Sequence, residues 1–205
     1  MPTKEPGLSY MDKRNKVRAI AITGMLLSVM LLFNFTSIGF LRIGPIAVTF
    51  MHILVLIGLM SEGLTVGIIL GFAFGFLSFL TTFTAPDPTY FIFQNPLISI
   101  PPRVLIPIVA WVVMKPIHRL TRDKYYSKHL SRTIGAIVGS LTNTVLILSL
   151  IGVFYLTRLA AALDMTNTQA ASFILATGLT NGLPEGVLAG IVVPLVTAAL
   201  DRIHR

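Results

Sequence analysis

Arg103 stands inside Pro101-Pro102-Arg103-Val104-Leu105-Ile106-Pro107-Ile108-Val109, a stretch otherwise suited to lipid. A guanidinium at that depth costs about 3 kcal/mol even on the mildest insertion scales, so it faces protein, water or an anionic ligand. Pro107, four residues on, lacks the amide hydrogen that would engage the carbonyl of Arg103, which predicts a fixed cation beside a free carbonyl. Other polar groups interrupt apolar segments in the same way. His52 and Thr49 do so in one segment, Asn143 between Thr142 and Thr144 in another, and Asn181 and Glu185 share a face at i, i+4 spacing. Cation, amides and hydroxyls toward one half of four helices fit a pocket for a small polar, anionic molecule. The structural alternatives are a buried Arg103–Glu185 ion pair and interhelical hydrogen bonds at Asn143 and His52.

Arg103 directly follows a run from Thr81 to Pro96 that holds the prolines Pro86, Pro88 and Pro96 and the aromatics Tyr90, Phe91 and Phe93, with Gln94 and Asn95 as amides. Stiffening prolines, rings that can cover a bound molecule and amides that can hydrogen-bond it read as a lid over residues 84–95. An interfacial aromatic belt is the alternative.

These groups need helices to position them, and the composition says which kind. A hydrophobic fraction of 54% with 12% charged residues leaves too little polar surface for a soluble domain. The reading is a single polytopic membrane domain over residues 1–205, all-α, with six spans at Val17–Ile38, Ile46–Met60, Leu64–Phe83, Pro96–Ile117, Thr133–Leu156 and Ser172–Leu200. The turn Ser61-Glu62-Gly63 is tight, so the second and third spans form an antiparallel hairpin, and Glu62 serves as a cap or partner contact. Trp111 reads as an interface anchor.

Thirteen of the sixteen Lys and Arg fall before or at the start of the first span, from the end of the fourth to the start of the fifth, or after the sixth, and only Arg42, Arg103 and Arg158 lie elsewhere. That bias places both termini and the segment 1–16 in the cytoplasm, with 84–95 and 157–171 as outer loops, in a multi-pass protein of the cell membrane. The first apolar run lacks a small-residue cleavage site and is long enough to span, so it reads as a retained helix. The cations sit in juxtamembrane blocks, which argues against nucleic-acid binding.

Thr166-Asn167-Thr168-Gln169 has the form of a capping box, so a helix begins before the last span. From there to Ile203 is too long for one straight crossing, and Asn181-Gly182-Leu183-Pro184 supplies a break, because Pro184 leaves the carbonyl of Thr180 without its donor. Glycine recurs every fourth residue at Gly67, Gly71 and Gly75, and at Gly178, Gly182, Gly186 and Gly190. Such stripes let helix backbones approach within one chain. Gly24 and Ser28, flanked by Ala21 and Thr23, make a weaker pair that offers a docking face if it looks outward.

No G-x-x-x-x-G-K-[ST] is present, so the chain does not cradle ATP phosphates in that loop. There is no G-x-S-x-G and no H-E-x-x-H, and the histidines are scattered. The chain reads as a non-enzyme, and with no cysteine no thiolate metal site exists; neither metal nor cofactor is expected.

Taken in order, the basic start, the small-residue spacing of the first helix, Gly44-Pro45-Ile46-Ala47-Val48-Thr49-Phe50-Met51-His52-Ile53, the Glu62-Gly63 turn leading to Gly71-Phe72-Ala73-Phe74-Gly75, and Asn95-Pro96-Leu97-Ile98-Ser99-Ile100-Pro101-Pro102-Arg103 resemble the substrate-binding S component of energy-coupling factor (ECF) vitamin transporters. The resemblance covers nearly the whole chain and is greatest to the pantothenate-binding members. It implies Arg103 as counter-ion of the vitamin carboxylate, with Asn95, Asn143 and Asn181 as partners for its amide and hydroxyls. It also implies a membrane-embedded coupling subunit and two ATPase subunits as partners. The family's first helix carries Ala-x-x-x-Ala for docking, and Gly24-x-x-x-Ser28 keeps small side chains but departs in identity. Related members bind riboflavin, folate, cobalamin or pyrimidine precursors. A self-sufficient proton-coupled carrier, with Glu185 as the proton site, is the reading from another class.

Overall fold

The computed structural model describes all residues except 1–5, 37–39, 44–45, 85–89, 121–123 and 204–205, and describes backbone alone at 6–15, 40–43, 46–49, 90, 118–120, 124–126 and 203. The described residues form α1 (Pro6–Phe35), β1 (Phe40–Ile43), β2 (Ile46–Thr49), α2 (Met51–Glu62), α3 (Leu64–Thr81), α4 (Pro96–Ser99), α5 (Pro101–Leu120), α6 (Lys124–Phe154), α7 (Leu156–Ala162), α8 (Asn167–Thr177) and α9 (Leu183–Ile203). A 3₁₀ turn at Tyr90–Ile92 precedes α4, and a π turn at Gly178–Gly182 joins α8 to α9.

Five helical stretches are long and apolar enough to cross a bilayer: Lys16–Phe35, Leu64–Thr81, Pro96–Ile117, Ser127–Phe154 and Asn167–Arg202. α2 is a shorter apolar helix of 12 residues. Met51 through Leu59 are all buried, because α2 packs against α1, α3, α5, α6 and α9. A helix apolar on every side belongs in such a centre. Large apolar side chains on the outer helices face away from protein, among them Ile20, Leu32, Phe72, Val112, Val145 and Leu195. The interior is also apolar, with Met30, Leu56, Leu70, Phe74, Ile106 and Val193 in one core. Apolar inside and out is the pattern of a chain solvated by lipid.

The described residues are overwhelmingly helical, as expected, and the departure lies at the start of the second span. Residues 46–49, assigned from sequence to the start of the second span, are a strand: β1 and β2 pair antiparallel, with Phe40 opposite Thr49 and Ile43 opposite Ile46. The β-branched run Ile46-Ala47-Val48-Thr49 after Gly44-Pro45 favours a pleated ribbon over a helix start, and helix begins only at Met51. The first helix also starts earlier than the span read from sequence, at Pro6. The stretch 157–171, expected as a loop, carries α7 and the first turn of α8.

Thr166 caps α8 as the sequence indicates: its hydroxyl accepts from the Gln169 amide at 3.3 Å, and the Gln169 side chain accepts from the Thr166 amide at 2.8 Å. The distortion expected before Pro184 is present as the π turn, which widens the helix without ending it.

Both glycine stripes pack within the chain. A Cβ at Gly71 would stand 2.6 Å from the carbonyl oxygen of Arg103, and one at Gly75 would stand 2.7 Å from the Cα of Ile100. The α3 stripe is therefore the seat of the α4–α5 junction that carries Arg103. On the other stripe, Gly182 faces Thr144 and Gly190 faces Ile137, so it packs on α6.

At the opposite, basic end, ion pairs tie the bundle. Arg18 of α1 meets Glu62 of α2 at 2.9 Å. Arg132 and Lys128 of α6 each reach Asp201 of α9 at 2.7 Å, and Arg132 donates to the carbonyl of Met60 at 3.3 Å. The ammonium of Lys115 lies 3.4 Å from the Trp111 ring centroid.

Candidate functional site

Pro101 and Pro102 have no amide hydrogen, so the carbonyls of Leu97 and Ile98, four residues earlier, lose their helical donors. The helix breaks there, between α4 and α5, and Arg103 fills the vacancy with its own side chain. Its Nη1 donates to the Ile98 carbonyl at 2.6 Å. Nη2 makes only a 3.4 Å contact with the Ser78 hydroxyl on α3, and Nε is buried with no acceptor. The guanidinium carbon lies 5.4 Å from the Phe74 ring centroid and 5.3 Å from that of Phe93.

Arg103 is 4% exposed and has no acid partner among the described residues. The Arg103–Glu185 ion pair held open from the sequence is not formed. A buried cation held by one carbonyl, one hydroxyl and two ring faces lacks the charge partner that ordinarily offsets its desolvation. Its Nε–Nη2 edge is the under-used one, and that edge has the fork geometry for a side-on carboxylate. The free carbonyl expected beside the cation points elsewhere, onto Gly71 of α3.

The remaining expected residues lie at the same end of the bundle. His52, second residue of α2, is 1% exposed, and its Nε2 is 3.0 Å from the Ser140 hydroxyl of α6. Asn143 lies one helical turn beyond Gly139, which packs on Ile106 and Ala110 of α5. Its Oδ1 is buried with no donor. Asn181 closes the π turn at 8% exposure and Glu185 opens α9 at 4%. Thr180 donates to the Asn181 Oδ1 at 3.4 Å.

Asn95 caps α4, accepting from the Leu97 amide at 3.0 Å, and donates through Nδ2 to the Tyr155 hydroxyl at 3.3 Å. Phe93 is fixed by Ser99, whose hydroxyl donates to its carbonyl at 2.5 Å. The side chain of Tyr90 lies outside the described residues. Tyr155, Ser140, Ser78 and the Ile98 carbonyl were not singled out from sequence; for the last, the Pro101-Pro102 step is the signal that could have found it. Ala21, Gly24 and Ser28, expected from sequence to form a docking face, are all exposed, with nothing within 4 Å of a Cβ placed at Gly24.

Clefts on the described surface include one of about 540 Å³ lined by residues that include Asp164, Gln169 and Phe173 and another of about 250 Å³ beside Thr142 and Val145. Arg103 lines neither. Phe93 lies over the guanidinium on one side and Phe74 beside it, so both rings border any anion that meets it.

A sequence model of the family "ECF transporter, substrate-specific component" matches residues 18–197 of the chain. The chain is similar to the pantothenic acid transporter PanT of Lactococcus lactis subsp. cremoris, strain MG1363, at 27% identity over 207 residues, which covers 93% of this chain and 97% of that protein.

Proposed function

Because the chain belongs to the family of substrate-specific components of ECF transporters, we propose that it captures pantothenate at the lid end of a six-span bundle whose termini are both cytoplasmic. Transport is then driven by a separate coupling subunit and two ATPase subunits. The observation that carries this reading is Arg103: a buried guanidinium with no acid partner among the described residues, Nε unsatisfied and a planar edge left for a carboxylate.

Pantothenate offers a carboxylate, an amide and hydroxyls, which match in kind the Arg103 Nε and the Asn143 Oδ1. The carboxylate meets the Nε–Nη2 edge, and a hydroxyl or amide hydrogen meets the bare Oδ1 of Asn143. Asn181, His52 and Glu185 supply further polar groups in the same layer, and the turn carrying Tyr90, Phe93 and Asn95 closes over them. The identity to a pantothenic acid transporter along nearly the whole of both chains supports the choice of vitamin. The exposed Ala21-Gly24-Ser28 face of α1 is the surface offered to the coupling subunit in the membrane.

The test is direct. The protein purified alone in detergent should release pantothenate on denaturation, detected by mass spectrometry, and the emptied protein should bind it with one-to-one stoichiometry by calorimetry. Retention of riboflavin or another vitamin, with no heat from pantothenate, would reassign the cargo.

A further inference from the structure

We propose that Tyr155 is the catch that holds the aromatic turn down over Arg103, setting how fast the site opens while taking no part in recognising what enters. This rests on the reading of the site given above.

Tyr155 stands between two helices. α6 ends at Phe154 and α7 begins at Leu156, while Tyr155 itself has φ −130° and ψ 7°, outside helical geometry. From this corner its hydroxyl accepts from Asn95, and its ring lies 5.8 Å from that of Phe91, tilted by 46°. Arg158, one turn along α7, sets its guanidinium 4.9 Å from the same Phe91 ring. Below them Ile92 is 2% exposed, seated among Ile98, Ile147, Ile151, Leu159 and Ile174.

The turn therefore has two sides. Phe91 is gripped by the α6–α7 corner, and Phe93, two residues on, covers Arg103. In this proposal cargo enters by lifting Phe93, and a short turn lifted as a unit also strips Phe91 and Asn95 from Tyr155. The Asn95–Tyr155 bond is long at 3.3 Å and joins two half-buried residues, so it is an inexpensive contact to break and remake. That suits a catch better than a structural rivet.

The catch is formed with no cargo present. In this proposal the same contact re-forms over seated cargo, so its free energy is common to the empty and loaded closed states and cancels in the equilibrium constant. Weakening it makes opening easier from both sides. Entry and exit should accelerate together while affinity stays put, a signature that neither a cargo contact nor a folding defect produces.

The variant Tyr155→Phe removes the hydroxyl and keeps the ring. With radiolabelled pantothenate and the purified full-length protein, association and release should both rise roughly fivefold, the value of one net neutral hydrogen bond, with Kd within about twofold. Unchanged rates, or a weaker Kd with unchanged association, overturn the proposal. The chain has no cysteine, so spin labels at Gln94→Cys and Ala162→Cys report the turn against α7 without any cargo. Adding Tyr155→Phe or Tyr155→Ala should lengthen and broaden that distance distribution; an identical distribution overturns the proposal. Should the wild type bind no pantothenate, the vitamin assignment falls, and the label experiment alone decides the catch.

Discussion

At the scale of the residue, the Asn143 Oδ1 and the Arg103 Nε are two of the buried atoms without a hydrogen-bond partner among the described residues, and each gives a prediction. The Asn143 Oδ1 has no donor, and an unsatisfied buried acceptor costs about 1–3 kcal/mol. Asn143→Leu, which keeps the branch at Cγ, should therefore raise the melting temperature of the empty protein by a few degrees while weakening pantothenate binding; thermal shift and calorimetry on one preparation check both. A purely structural Asn143 would show neither. Arg103→Lys should lose most affinity despite keeping its charge, because an ammonium cannot bond the Ile98 carbonyl and present a flat edge to a carboxylate together. Arg103 was legible in the sequence because a cation is conspicuous among Pro, Val, Leu and Ile. Its setting was less so. The Ile98 carbonyl is available only because Pro102 lies four residues on, and Ser78, Ser140 and Tyr155 are ordinary residues given meaning by neighbours far away in the chain.

At the scale of the element, the glycine stripes and the first helix make contrasting predictions. Gly71 abuts the backbone at Arg103, so Gly71→Leu must push α3 from the α4–α5 junction. Overpacking there should cost about 3 kcal/mol and lower the melting temperature by about 6–12 °C, with loss of binding. Gly24 meets open space, so Gly24→Leu with Ser28→Leu should leave melting and binding within error and abolish uptake in cells that carry the coupling subunits. Uptake at wild-type rates would remove α1 as the docking face. Most helices could be read from apolar length, and the capping box at Thr166 from spacing alone. The hairpin at 40–49 could not, because a β-branched apolar run looks the same whether it begins a span or pairs with its neighbour. The bend before Pro184 was visible, but its form, a π turn, depends on how α8 and α9 both pack on α6.

At the scale of the whole molecule, the chain carries no phosphate-binding loop of its own, so the account makes capture independent of transport. Purified protein in liposomes should bind pantothenate yet accumulate none under a pH gradient; accumulation would favour a proton-coupled carrier working through Glu185. Capture itself reduces to a cation waiting for an anion. The most direct measurement compares pantothenate with its alcohol analogue, in which a hydroxymethyl group replaces the carboxylate, on the wild type and on Arg103→Gln. The account predicts that the wild type prefers the acid by at least about thirtyfold, the lower end for a buried charge pair, and that Arg103→Gln binds acid and alcohol alike. A variant that keeps the full preference would contradict it, because the carboxylate would then be recognised elsewhere.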